Sequence, residues 1–122
     1  MERSNRLVIK LATGIEEPER VAQAFSVAST ALAAGVEVSL WLAGEAAWLA
    51  LPGKAEEFIL PHSAYLPDLL ATLINGAQVT LCSQCAVRRG ISDGDQISGI
   101  VIAGSTSFVE EIMRGRTQAL VY

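Results

Sequence analysis

Short apolar runs with strand character alternate with stretches of helical spacing along almost the whole chain, and nearly every junction carries a Gly or a Pro. This rhythm constrains the fold strongly. Parallel neighbours in a sheet need a crossover between them, so strand-helix alternation points to a mainly parallel sheet with helices on both faces.

Leu7–Ala12 is the first apolar run, and Thr13-Gly14-Ile15 breaks it. Glu16 and Glu17 before Pro18 form a helix start, with the acids near the positive dipole end and the proline at an early helical position. Val21, Ala24, Phe25, Ala28, Ala31 and Leu32 recur every three or four residues and define its buried face, and Gly35 ends the helix. Val36–Leu42 reads as strand two, Gly44–Leu51 as a short helix closed by Pro52-Gly53, and Glu56–Leu60 as a brief extended segment before Pro61-His62. Leu66–Ile74 is an amphipathic helix with Pro67 near its start and Asn75-Gly76 as its stop. Gln78–Leu81 is strand three, Ile97–Ala103 strand four, Ser105–Met113 a helix and Thr117–Tyr122 strand five. These elements make a single three-layer α/β/α domain over residues 1–122, with about five strands.

Hydrophobic residues make up 51% of the 122 positions and charged ones 18%, a balance that favours covering part of the surface in a homo-oligomer. No run approaches the ~20 apolar residues of a membrane span. Met1–Arg6 leads straight into the first strand without a signal-peptide core, which points to the cytoplasm. The net charge of −4 argues against a nucleic-acid partner, whose binding rests on neutralising phosphates. Arg88-Arg89 and the Arg114, Arg116 pair are the local basic features.

Both cysteines fall in Cys82-Ser83-Gln84-Cys85, where strand three becomes a helix. Unpaired amides at a helix start favour a thiolate, and Arg88 and Arg89 add positive charge one to two turns further on. In a reducing compartment, C-x-x-C spacing suits redox, sulfur-transfer or metal chemistry better than a structural disulfide. A closed zinc site needs two further ligands, and His62 is the only histidine, so no metal is expected. In open parallel sheets ligands gather at the carboxyl ends of the strands. Those ends carry Thr13 and Gly14, Trp41, Cys82, and Gly104 and Ser105, the last two offering backbone amides to an anion or an ordinary helix cap. Neither G-x-G-x-x-G nor G-x-x-x-x-G-K-[ST] is present, and no G-x-S-x-G elbow accompanies His62, so no nucleotide cofactor or serine-hydrolase site is expected.

Three features together resemble the DsrE/DsrF-like family of small sulfur-relay proteins. An opening strand leads to an Ala-rich helix, a Gly-Val-Glu-Val-Ser-Leu-Trp-Leu-Ala-Gly segment follows, and Cys82 begins a C-x5-R-R-G pattern that ends at Arg88-Arg89-Gly90. The resemblance covers nearly the whole chain. It implies a DsrE-like fold with flavodoxin- or Rossmann-like layering, assembly into trimers or hexamers, and a persulfide sulfur taken up and passed on by Cys82, between a donor and an acceptor protein. That activity is of sulfurtransferase type. Cys85 stands where the relay carriers more often have a small residue. It either resolves the persulfide or is structural.

The residues leave two other readings open. The protein is a non-enzymatic oligomeric binding or scaffold protein whose cysteines only pack, since free cysteine is among the most buried residue types. Or it is a dithiol redox protein that closes a Cys82–Cys85 disulfide.

Overall fold

A computed structural model describes residues 5–122; Met1–Ser4, part of the stretch expected to lead straight into the first strand, lie outside the described residues. In chain order the elements are β1 (Arg6–Leu11), α1 (Pro18–Ala33), β2 (Glu37–Leu42), two 3-10 helices (Gly44–Ala50 and Ala55–Glu57), α2 (Leu66–Gly76), β3 (Gln78–Cys82), α3 (Ser83–Arg88), β4 (Val101–Ala103), α4 (Ser105–Ile112) and β5 (Thr117–Val121). All strand pairings are parallel, in the order β4-β3-β2-β1-β5.

Side chains alternate across each strand, so every strand feeds two layers. Ile9, Leu11, Val38, Leu40, Leu42, Val79 and Leu81 face α1 and α2, where Val21, Ala24, Phe25, Ala28, Leu66, Leu70 and Leu73 complete the main core. Burying each large side chain there stabilises the fold by roughly 1.5–3 kcal/mol before chain entropy is counted. The connection to β5 must return past the other strands, and α4 carries it on the opposite face. There Phe108 meets Trp41 edge-on with ring centroids 5.3 Å apart, and Lys10 Nζ lies 4.8 Å from the same ring centre. Helices thus cover both faces, as the alternation implies.

Four local expectations change. Gly44–Leu51 is a 3-10 rather than an α-helix: its segment is short, and Leu51 N–H closes back on the Trp48 carbonyl, a three-residue step. Glu56–Leu60 is not extended throughout, because Ala55–Glu57 forms a second 3-10 turn ahead of it. Strand four shrinks to Val101–Ala103. Gly99 takes a left-handed φ of 98°, and Ile100 N–H bonds to the Ile97 carbonyl at 3.1 Å, so residues 97–100 form a turn instead of joining the ladder. Asn75-Gly76 does not stop α2, which runs through Gly76 before its last amide bond from Ala77 to the Leu73 carbonyl.

Candidate functional site

β3 delivers Cys82 to the carboxyl edge of the sheet, where it becomes the N-cap of α3 in extended conformation (φ −62°, ψ 123°). Cys82 is partly exposed, whereas Cys85, in the first turn of α3, is 9% exposed and belongs to the core cluster. Cys82 at the N-cap and Cys85 in the first turn lie on one face of α3, and the Cys82 side chain is among the groups that favour the Cys85 thiolate. A third partner arrives from β2. Gly44 opens the first 3-10 helix, and its amide, like others at a helix start, has no acceptor within the helix. That N–H donates to Cys85 Sγ at 3.2 Å.

Only glycine lets the chain place this amide. Gly44 has φ 51°, and a Cβ there would sit 2.2 Å from the Ala12 carbonyl oxygen. Gly14 makes a matching approach on the neighbouring loop, where a Cβ would lie 2.7 Å from the Glu45 carbonyl oxygen. Gly14 N–H itself donates to Glu16 Oε1 at 2.7 Å, and the Thr13 hydroxyl is buried without a partner. The β1 and β2 loops are therefore locked together, Ala12 against Gly44 and Gly14 against Glu45.

Glu45 holds the cation of the site. Arg89 reaches Glu45 Oε2 through Nη2 at 2.7 Å and Nε at 2.9 Å, while its Nη1 donates to the Cys85 carbonyl at 3.1 Å. Trp48 Nε1 donates to the same carboxylate oxygen at 3.3 Å. Arg88 is exposed and, with Ser83, Gln84 and Val87, lines a shallow groove of about 300 Å³ on the outer side of α3.

These contacts set the charge state of Cys85. Burial is the largest influence and disfavours the thiolate; the Gly44 amide, the Cys82 thiol and the charges of Arg89 and then Arg88 outweigh it together, so the pKa lies below that of an ordinary thiol. The strand-to-helix junction predicts that the start of α3 tunes both cysteines. The amide that reaches sulfur belongs instead to a helix across the sheet edge, and α3 is only six residues long.

The remaining expected site residues divide. Gly104, after β4, lies against Ser83, and a Cβ on it would be 2.9 Å from Ser83 Oγ. It is itself the N-cap of α4 and no side chain caps that helix, so Ser105 is not the cap expected; it is an exposed first-turn residue. Trp41 does not reach the cysteines: it is 1% exposed beneath α4 and donates from Nε1 to Glu111 Oε2 at 3.2 Å. His62 is exposed at φ 60° in a loop along an open groove of about 690 Å³ that also takes in α1 and Tyr122 and shares no lining residue with the cysteine segment. No group of three His, Cys, Asp or Glu side chains among the described residues is arranged to hold a metal ion. Gly44 and Glu45 are site residues that no motif marks, although a Gly two residues beyond a strand is a usable signal for close backbone approach.

The model of the DsrE/DsrF-like family matches residues 6–117. The chain belongs to that family. DsrE-like membership places it in a sulfur-relay-type family and agrees with the resemblance carried by Cys82, Arg88, Arg89 and Gly90. Among curated relatives, the uncharacterized protein MK0008 of Methanopyrus kandleri is 34% identical over 85 residues, covering 70% of this chain and 68% of its own length. The uncharacterized protein MJ0760 of Methanocaldococcus jannaschii is 27% identical over 111 residues, 90% of this chain, which spans only 40% of that protein. Two solved structures share the DsrE-like fold. The ychN protein from E. coli superposes with a TM-score of 0.78 at 18% identity over the whole of both chains. Protein MTH1491 from Methanobacterium thermoautotrophicum does so at 0.67 and 16% identity, over 96% of this chain and 98% of its own. Among the described residues, no helix is long and apolar enough to cross a membrane.

Proposed function

We propose that this protein is a sulfur carrier of sulfurtransferase type, in which Cys82 accepts and hands on a persulfide sulfur. The observation that carries the reading is the partly exposed Cys82 at the end of β3, where it forms the N-cap of α3. In the loading step the Cys82 thiolate, its proton lost to solvent, attacks the outer sulfur of a donor persulfide. The new bond joins Cys82 Sγ to that sulfur, the donor's S–S bond breaks, and the donor leaves as a thiolate. In the transfer step an acceptor thiolate attacks the outer sulfur and restores Cys82. The donor is a protein or small-molecule persulfide and the acceptor a thiol, and each approaches the exposed side of Cys82.

The test is the intact mass of the native protein after treatment with a persulfide donor. At the earliest times, while the persulfide persists, wild type is expected to gain about 32 Da per sulfur, and Cys82→Ser to gain none at any time. An adduct that survives Cys82→Ser refutes Cys82 as the acceptor. Thiols that alkylate only after denaturation would instead favour an oligomeric scaffold whose cysteines merely pack.

The same reading places the protein in the cytoplasm as a homo-oligomer, a trimer or hexamer. Exposed Val101, Val109, Met113 and Val121 support the assembly, being large apolar side chains on and beside α4. Light scattering that returned only the 12.9 kDa monomer across concentrations would reject it.

A further inference from the structure

The two cysteines differ in a way that simple sulfur carriage does not use. Cys82 is partly exposed, whereas Cys85, in the first turn of the same helix, is 9% exposed. A protein acceptor cannot easily reach Cys85, but Cys82 stands one helical turn away on the same face of α3. The Gly44 amide donates to this inner sulfur, and the Arg89 guanidinium, itself fixed by Glu45, bonds to the carbonyl of the same residue. Nothing in carriage by Cys82 alone needs such a built environment around a second thiol.

We propose that Cys85 is a resolving nucleophile that converts the persulfide on Cys82 to free sulfide, so that the protein is a sulfane-sulfur reductase as well as a carrier. The inference rests on the reading of Cys82 as the acceptor. The Cys85 thiolate attacks Cys82 Sγ, the Sγ–Sγ bond forms, the bond from Cys82 Sγ to the outer sulfur breaks, and that sulfur leaves as HS⁻ carrying its own proton. Two electrons pass from the cysteine pair to the sulfane sulfur: the sulfur is reduced to sulfide and the pair is oxidised to a disulfide. A dithiol reductant resets the cycle by exchange, becoming a disulfide itself while both thiols return. The geometry suits this exchange. N-cap and first-turn positions bring the two sulfurs onto one face, and attack within one chain gains the effective concentration that an outside thiol lacks.

Stoichiometric glutathione persulfide, added anaerobically to the prereduced protein and freed of other thiols, separates the outcomes. Sulfide is trapped and counted, and intact mass is read without reductant. Wild type is expected to release about one equivalent of sulfide and to end about 2 Da lighter, as the disulfide. Cys85→Ser is expected to keep the added ~32 Da and to release sulfide on the order of a hundredfold more slowly. The wild-type mass is decisive even if that variant fails to fold, because disulfide and persulfide forms move it in opposite directions. A wild type that keeps the added sulfur and releases no sulfide overturns this inference and leaves the carrier reading intact. Sulfur that loads onto Cys82→Ser overturns the carrier reading and this inference with it.

Discussion

Gly44→Ala tests whether the β2 loop, rather than α3, tunes the inner thiol. The alanine Cβ would meet the Ala12 carbonyl oxygen at 2.2 Å, about 0.8 Å inside the 3.0 Å below which real Cβ contacts essentially do not occur, and both partners are backbone. The loop must therefore move, and φ 51° adds the cost of a left-handed alanine, roughly 1–2 kcal/mol. Movement draws the amide away from Cys85 Sγ and forfeits a further ~1 kcal/mol of hydrogen bonding. The combined loss is about 2–3 kcal/mol, read from the urea midpoint at unchanged slope. A second readout follows the thiol. Without the amide, the pKa of Cys85 rises toward the ordinary range, so the midpoint of its alkylation rate against pH, followed by peptide mapping, moves to higher pH. The sign in stability follows. Folding lowers this pKa, so the group adds stability above the unfolded thiol's value and loses it as pH falls through the folded value; the substitution flattens that alkaline rise. Destabilisation below about 0.5 kcal/mol together with an unmoved alkylation profile would refute the reasoning.

Arg89→Gln is expected to shift the same alkylation midpoint upward while costing little stability, since the Arg89–Glu45 pair is partly solvated and such pairs contribute about 0–1 kcal/mol; an unmoved midpoint would remove Arg89 from the site. Glu111→Ala acts on the opposite face, where the buried carboxylate accepts from Ser39 Oγ at 2.5 Å and from Trp41 Nε1 at 3.2 Å. Stranding both donors should cost about 2–5 kcal/mol and change the tryptophan emission, with thiol reactivity unaltered; altered thiol reactivity would show that the two faces are coupled.

The match between sequence and structure is uneven for a physical reason. Helix α1 was legible because its signals are local: Pro18 at the first helical position, acids before it, and an apolar face repeating every three or four residues. The same holds for Cys82 at the end of β3, since an apolar strand and a helix start adjoin there. Strand four was overcounted because Ile97 and Ile100 are apolar enough for a strand. Their backbone instead serves a turn, and Ile97 N–H bonds to the Ala50 carbonyl at 2.8 Å, a partner 47 residues away. Trp41 reads equally well as a ligand platform or as core until α4 is seen to cover it.

By itself the sequence determined the parallel α/β architecture and the position of the C-x-x-C segment at a strand end. Both follow from periodicity and from the breaking residues, which act within a few positions. Only the tertiary structure decided the strand order, the division of Cys82 and Cys85 into an accessible and an enclosed sulfur, and the source of the charge around the latter. Those depend on pairs far apart in the chain: Gly44 with Cys85 at a separation of 41 residues, Glu45 with Arg89 at 44, and Trp41 with Glu111 at 70. Each is made by packing two elements against each other, and no local pattern encodes which element will arrive.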